Sequence, residues 1–140
     1  MWAAGAGIDW GDARSLGIDI VTKVIEAVRR KHETDRIKFQ FGDVTEDLRP
    51  ADMLICKDVL QHLSNEPVHK FIRNNLKQGK YRWVILTNDC GSEKRDIPNM
   101  SYRKIDLAAP PFEVEGIIDL PIGFDNNETT KITLLPALTQ

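Results

Sequence analysis

The feature that most constrains the fold is a regular alternation between short apolar runs and longer segments whose apolar residues recur every three or four positions. Short runs rich in Ile, Val and Phe are typical of β-strands, and the longer spacing is typical of helices that bury one side. The alternation predicts an α/β fold with a mostly parallel sheet and flanking helices. The predicted strands are 15–20, 37–44, 51–56 and 81–89, and the predicted helices are 22–34 and 65–78.

The length of the chain suits one hydrophobic core, because 140 residues are few for two. We therefore predict a single domain over residues 1–140, irregular at 1–14 and with its α/β core at 15–89. Beyond the core, two apolar runs at 115–120 and 130–135 flank a polar turn. This pattern predicts that 90–140 forms a loop and a C-terminal antiparallel hairpin.

Composition and charge exclude several classes of protein. A formal charge of -2 gives no general attraction to nucleic acids or anionic lipids. No window approaches the roughly 18 apolar residues of a membrane span, and the first residues lack the basic start of a signal peptide. The two cysteines, Cys56 and Cys90, fit neither a zinc motif nor a disulfide framework. We expect a cytoplasmic protein without a metal.

Polar side chains at the ends of the predicted strands are the candidates for function, because ligands of open α/β sheets bind beyond the carboxyl ends of the strands. Asp19 and Asp43 follow the first two apolar runs, Lys57 and Asp58 follow the third, and Asn88 and Asp89 follow the fourth. A carboxylate in such a place can accept hydrogen bonds from both hydroxyls of a ribose. The alternative interpretation is that each aspartate only caps the following helix or turn.

Three segments, "GIDI", "GDVTEDL" and "ADMLICKDVLQHL", resemble the class I S-adenosylmethionine-dependent methyltransferases. The likeness covers about residues 15–89, and "YRKIDLAAPPFEV" followed by "IDLP" is similar to the tail of small members of that family. The resemblance implies a Rossmann-like fold, S-adenosylmethionine as the cofactor and methyl transfer as the reaction.

The resemblance also implies which residues bind the cofactor. Asp19 would hold the ribose, Ile20 would pack on the adenine, and Asp43 would bind the adenine amine. The backbone around Lys57 would touch the methionine part. The implied set is completed by Gly5, Gly7 and Val44.

Asp58 and His62 would lie near the mouth of the substrate site, where either is a candidate general base. A histidine suits proton removal around neutral pH because its unperturbed pKa is about 6.5. The alternative for His62 is a structural contact with a backbone carbonyl. His32 and His69 lie on predicted helix surfaces, and no two histidines have the spacing of metal ligands.

The N-terminus departs from the family's pattern. Such folds begin with a strand and a glycine-rich loop, and the ribose-binding acid follows that loop by about 20 residues. Here Gly7 precedes Asp19 by only 12 residues. The lost strand would be the central one, between 15–20 and 51–56. Its place would be taken by a stub formed from "WAAGAGI", by direct pairing of the flanking strands, or by a second copy of the chain in a homodimer.

Core positions are predicted from the same apolar runs. The unbroken run Met53–Cys56 predicts a strand that is buried on both faces, and Trp83 is expected to pack in the core. Cys56 is expected to be buried and unreactive.

Two classes of function follow. The first is S-adenosylmethionine-dependent methyl transfer to an unidentified acceptor. The second is a truncated or degenerate methyltransferase fold that binds no cofactor and serves as an interaction module or is an inactive fragment. A nicotinamide-dependent oxidoreductase is a weaker third interpretation, because "GAG" lacks the GxGxxG spacing and a preceding strand.

Overall fold

The strands and helices follow the predicted alternation in a computed structural model that describes residues 11–123 and 129–136. The chain divides into two compact units between Glu46 and Asp47. The α/β class and the C-terminal antiparallel hairpin are confirmed. The elements are β1 (Ser15–Asp19), α1 (Thr22–His32), β2 (Ile37–Phe41), β3 (Ala51–Lys57), a short 3-10 helix (Leu60–His62), α2 (Asn65–Asn75), β4 (Tyr81–Asp89), β5 (Ile118–Gly123) and β6 (Thr129–Pro136).

The first unit contains β1, α1 and β2. The two strands are parallel, with Asp19 opposite Phe41 at their carboxyl ends. Ile25 of α1 and Phe39 of β2 are buried. A Cβ at Gly17 would lie 2.6 Å from the Phe39 ring, so only glycine fits there. The guanidinium of Arg29 donates two hydrogen bonds of 2.9 and 2.7 Å to the Phe39 carbonyl, which ties the end of α1 to the strand.

The second unit contains a four-stranded sheet with the order β3-β4-β6-β5. β3 and β4 are parallel, and the remaining pairs are antiparallel. α2 ends at Asn75, three residues before the predicted end, and the Lys80 ammonium donates to the Asn74 carbonyl in this last turn at 2.7 Å. Gly79, with a φ of +73°, lies in the turn that follows.

One face of this sheet forms the core of the second unit. Cys56, Val84, Leu86 and Thr133 point to this face and are at most 6% exposed. Val84 lines the same cavity as Ile72 of α2 and Leu76, the residue after the helix, which places α2 on this side. Further apolar side chains buried in the same unit are Leu60, Val68, Phe71, Ile97, Ile105 and Leu107.

The opposite face of the sheet is apolar and exposed. Residues that oppose one another across strands share a face, and the ladder pairs Met53 with Trp83 and Ile55 with Ile85. Five large side chains on this face are each 40–51% exposed: Met53, Ile55, Trp83, Ile118 and Leu120. The predictions that β3 is buried on both faces and that Trp83 packs in the core are therefore wrong. An apolar run shows that a strand has apolar sides, but it does not show what covers each side.

Among the described residues the strands form two separate sheets. β1 pairs with β2 alone, and β3 is an edge strand of the other sheet, paired with β4 alone. Direct pairing of the flanking strands is therefore not found there, and "WAAGAGI" lies outside the described residues. Neither α1 nor α2 is long and apolar enough to cross a membrane, nor is any other helix in the described part of the chain.

Candidate functional site

Asp19 and Asp43 follow neighbouring strand ends in the first unit. The Gly42 N–H donates to the Asp19 carbonyl at 3.1 Å, which continues the strand pairing just past Phe41. Parallel strands carry their carboxyl ends to one edge of the sheet, so both acids lie at that edge. The two side chains are partly exposed.

Each of these carboxylates uses one oxygen to close its own loop. Asp19 Oδ1 accepts from the Val21 N–H at 2.8 Å, and Asp43 Oδ1 accepts from the Thr45 N–H at 2.8 Å. The capping interpretation is thus correct for one oxygen of each acid. Within residues 11–123 and 129–136, the second oxygen of each acid accepts no hydrogen bond.

Two exposed apolar residues neighbour Asp19, one in the chain and one across the strand pair. Ile20 is 59% exposed, and Phe41, the ladder partner of Asp19, is 55% exposed. Val44 is half-buried beside Asp43. Phe41 was not among the predicted site residues, although its position at the end of a strand with alternating polarity was a signal. This edge therefore offers hydrogen-bond acceptors next to an apolar surface, which suits a nucleoside.

Two predicted cofactor-binding residues, Gly5 and Gly7, lie outside the described residues. The third strand end belongs to the second unit, where Lys57 is the last residue of β3 and is exposed.

Asp58 is held tightly at the end of β3. Its φ is +53°, a left-handed value that aspartate tolerates better than most residues. The Asp58 N–H donates to the Thr87 carbonyl at 3.0 Å, and Thr87 Oγ1 donates to Asp58 Oδ1 at 2.9 Å. The Lys57 ammonium donates to the other oxygen, Asp58 Oδ2. Both carboxylate oxygens are therefore engaged.

His62 ends the 3-10 helix that follows Asp58. Its Nδ1 lies 2.8 Å from the Ser101 carbonyl oxygen. Because a carbonyl oxygen only accepts, Nδ1 carries the hydrogen in the neutral ring and Nε2 keeps its lone pair. The predicted structural contact with a carbonyl is confirmed, and it leaves the ring oriented with Nε2 as the acceptor.

Asp89 and Tyr102 form a cluster with His62 that the sequence did not predict. The Tyr102 hydroxyl donates to Asp89 Oδ2 at 2.5 Å, and the Asp89 N–H donates to the side-chain oxygen of Gln61 at 3.0 Å. The rings of His62 and Tyr102 are 5.9 Å apart, at 51° to each other. Asp89 was visible as a strand-end acid, but no local pattern links residue 102 to it.

The other titratable residues considered in the sequence do not form part of the candidate site. Burial, and then the charge of Asp58, raise the pKa of the Cys56 thiol to about 12, so the expectation of an inert cysteine is supported. His69 lies on α2 as predicted and is half-buried, with its ring 5.1 Å from that of Phe112. Among the described residues, no three His, Cys, Asp or Glu side chains are arranged to hold a metal ion.

Comparisons with known proteins identify the fold. No protein-family model and no curated protein sequence matches the chain. Solved structures do match, with low sequence identity. The methyltransferase domain of bacterial CtHen1 matches with a TM-score of 0.60 and 12% identity over 88% of this chain and 77% of that one.

Two further matches are methyltransferases with bound S-adenosylmethionine (SAM) or S-adenosylhomocysteine (SAH). Human N-acetylserotonin methyltransferase in complex with SAM matches with a TM-score of 0.61 and 15% identity over 90% of this chain and 41% of that one. Magnesium protoporphyrin IX methyltransferase from Synechocystis with bound SAH matches with a TM-score of 0.57 and 14% identity, over 89% and 64% of the two chains. The chain spans only about a third, 36%, of LepI, another match. At these identities the likeness concerns the fold, and the chain has the class I methyltransferase fold.

Proposed function

We propose that the chain binds S-adenosylmethionine and transfers its methyl group to an acceptor. The fold supports this function, since several of its structural neighbours hold the cofactor or its demethylated product. The observation that carries the proposal is the pair of strand-end acids, Asp19 and Asp43, each with one oxygen unengaged within the described residues.

The residues of the first unit fit the nucleoside part of this cofactor. The second oxygen of Asp19 accepts from the ribose hydroxyls, and exposed Ile20 packs on the adenine ring. Asp43 accepts from the adenine amine through its second oxygen, with Val44 beside it. The resemblance to the family implies that the backbone around Lys57 would contact the methionine part. When bound, the cofactor supplies an electrophilic methyl group.

His62 is the general base of the proposed reaction. Its Nε2 is free to take a proton from the acceptor, because Nδ1–H is held by the Ser101 carbonyl. Asp58 is less suited to this role, since Lys57 and Thr87 engage both of its oxygens. Asp58 instead fixes the strand end from which the segment bearing His62 departs.

Calorimetric titration with S-adenosylhomocysteine tests cofactor binding. In Asp19→Asn, the amide oxygen still accepts from the Val21 N–H, so the start of α1 is kept while the charge and the second acceptor are lost. Charge-assisted hydrogen bonds contribute about 1.5–3 kcal/mol each. We expect Asp19→Asn to raise Kd roughly tenfold to a hundredfold.

Glu26→Gln is the matched control, since Glu26 is an exposed acid on α1 in the same unit. This variant is expected to bind like the unmodified chain. Absence of any binding heat with the unmodified chain, or equal affinities of Asp19→Asn and Glu26→Gln, would refute the proposal.

The second candidate function is association without a cofactor, and the exposed face of the four-stranded sheet favours it. A large side chain carries roughly 200 Å² of surface, so five half-exposed ones leave on the order of 500 Å² of apolar area. Monomers rarely expose contiguous apolar patches above a few hundred Å². This second function is formation of a homodimer through that face and the adjoining edge of β3.

A second copy suits this face because the edge of β3 is self-complementary. Antiparallel pairing of two β3 strands about Leu54 sets Met53 of one copy beside Ile55 of the other, so each of these apolar side chains is partly covered by the other copy. Sedimentation velocity tests this candidate. The homodimer is supported if the unmodified chain dimerises, Ile55→Lys dissociates the dimer and Val24→Lys does not. A chain that stays monomeric at all concentrations would contradict it.

A further inference from the structure

The segment that follows β4 is fastened to the residues around the 3-10 helix. The Met100 N–H donates to the His62 carbonyl at 2.8 Å, and the Arg103 N–H donates to the Gln61 carbonyl at 3.0 Å. The side-chain oxygen of Asn99 accepts from the Ser64 N–H at 2.8 Å. Residues 99–103 therefore keep a fixed place beside His62.

A buried arginine strengthens this attachment. The side chain of Arg103 is 1% exposed and donates to the Asn65 side-chain oxygen at 2.6 Å and to the Leu63 carbonyl at 3.1 Å. Such a buried, multiply bonded guanidinium fixes the segment more firmly than surface contacts do.

The fastened segment presents apolar groups to solvent on either side of Ser101. Met100 is 90% exposed and has a φ of +71°, which a side chain of this size rarely adopts. Tyr102 is 47% exposed, and its ring stands near the His62 ring. The Met100 backbone is hydrogen-bonded to His62, and the Tyr102 ring lies 5.9 Å from the His62 ring, so a thioether and an aromatic ring flank this imidazole in the chain. Such groups suit a flat ring, since sulfur–aromatic and aromatic–aromatic contacts are both favourable.

The exposed charge next to this surface selects against anions, because the Arg103 guanidinium is buried and lies 3.7 Å from Asp96 Oδ1. Asp58 follows the end of β3, where Lys57 neutralises it, and Asp89 is the last residue of the paired strand β4. The carboxylate of Asp89 accepts from the neutral Tyr102 hydroxyl, which leaves its charge uncompensated by that partner. A ligand that carries a carboxylate or phosphate would be repelled here.

We propose that His62, Met100 and Tyr102 form the acceptor-binding surface, and that the acceptor is an uncharged aromatic ring with a hydroxyl group. This inference rests on the proposed methyl transfer, for which it names the class of acceptor. The cofactor would supply the methyl group: the acceptor oxygen would bond to the methyl carbon, and the electron pair of the broken bond from that carbon would stay on the sulfonium sulfur. The hydroxyl proton would pass to Nε2 of His62, which would become an imidazolium.

Binding of 2-naphthol, followed by its fluorescence and by saturation-transfer NMR without any cofactor, tests the surface. Met100→Ala and Tyr102→Ala are each expected to weaken binding by about twofold to tenfold, the range that one such contact contributes. Tyr102→Phe keeps the ring and is expected to bind nearly as well as the unmodified chain. The anionic probe 2-naphthoate is expected to bind at least tenfold more weakly than 2-naphthol.

Leu16→Ala is the control, because Leu16 is an exposed apolar residue of β1 that belongs to none of the proposed surfaces. The inference is overturned if Leu16→Ala weakens naphthol binding as much as Met100→Ala does, or if 2-naphthoate binds as tightly as 2-naphthol. Since these titrations contain no cofactor, they are distinguishable from a failure of the S-adenosylhomocysteine titration. If the chain binds 2-naphthol but not S-adenosylhomocysteine, the proposed methyl transfer is refuted and the aromatic-binding surface is supported.

Discussion

Thr87 and Asp58 exchange hydrogen bonds across the ends of two neighbouring strands. Thr87 Oγ1 donates to Asp58 Oδ1 at 2.9 Å, and the Asp58 N–H reaches both the carbonyl and the hydroxyl of Thr87 at 3.0 and 3.2 Å. This exchange holds Asp58 in a left-handed conformation at the point where the chain turns from β3 toward His62. The candidate base is thus placed by a residue 25 positions further along the chain.

Thr87→Val is expected to lower the free energy of unfolding by about 1–2 kcal/mol, because it removes the hydroxyl that satisfies the Asp58 carboxylate. Thr87→Ser keeps the hydroxyl and is the control, with an expected loss well below that of the valine variant. Urea unfolding followed by circular dichroism gives both values. Equal losses in the two variants would show that the hydroxyl is not what stabilises this turn.

Native Cys56 is expected to resist alkylation at pH 8 while Cys90 reacts. Burial raises the pKa of Cys56 to about 12, so its thiolate fraction at pH 8 is on the order of one in ten thousand. Cys90 is only half-buried. Mass spectrometry after iodoacetamide treatment should find one modified site in the native chain and two in urea, and Cys90→Ser should remove the native one. Modification of Cys56 in the native chain would contradict the burial of β3 on its α2 side.

Asp47 is expected to make stability depend on pH in the acid range. A hydrogen bond from Lys80, with the nearby charges of Lys77 and Lys80, holds the pKa of Asp47 below its usual value of 3.8. A lowered pKa means that the stabilisation is present above pH 3.8 and is lost as pH falls through the folded-state pKa. The difference in thermal midpoint between the unmodified chain and Asp47→Asn should therefore be full at pH 6 and shrink below pH 3.8. Asp52→Asn, which changes an exposed acid on β3, should show no such convergence.

β4 is the strand whose bounds were predicted best, because the residues that define it are neighbours in the sequence. Its bounds, Tyr81 and Asp89, follow from an apolar run with a glycine turn before it. The positions of Asp19 and Asp43 at strand ends were equally predictable, because parallel topology brings those ends to one edge. The exposure of Met53 and Trp83 was not predictable, since burial depends on what covers a face.

The contacts of His62, the candidate base, could not be predicted from the sequence for a related reason. Ser101 meets His62 across 39 positions and Tyr102 meets Asp89 across 13, in a segment without helical or strand periodicity. Arg103 looked like part of an ordinary polar loop, yet it is among the most buried side chains of the described part of the chain. Long-range contacts of this kind leave no repeating pattern in a single sequence.

Arg103→Lys is expected to loosen the segment that carries Met100 and Tyr102. A lysine ammonium cannot donate in the fork geometry with which Arg103 reaches Asn65 and the Leu63 carbonyl. Breaking such buried charged contacts costs about 3 kcal/mol. Because this segment is fastened locally, the change should appear first as faster hydrogen exchange at the Met100 amide, which donates to His62.

Arg82→Lys is the control for this experiment, since Arg82 is an exposed arginine on β4. It should leave both the exchange rate and the unfolding free energy unchanged. If Arg103→Lys speeds exchange at Met100 while the amides of β4 stay protected, Arg103 positions the segment without supporting the whole sheet. Uniformly faster exchange across β4 would instead make Arg103 part of the global core, and unchanged exchange at Met100 would mean that the backbone hydrogen bonds alone hold the segment beside His62.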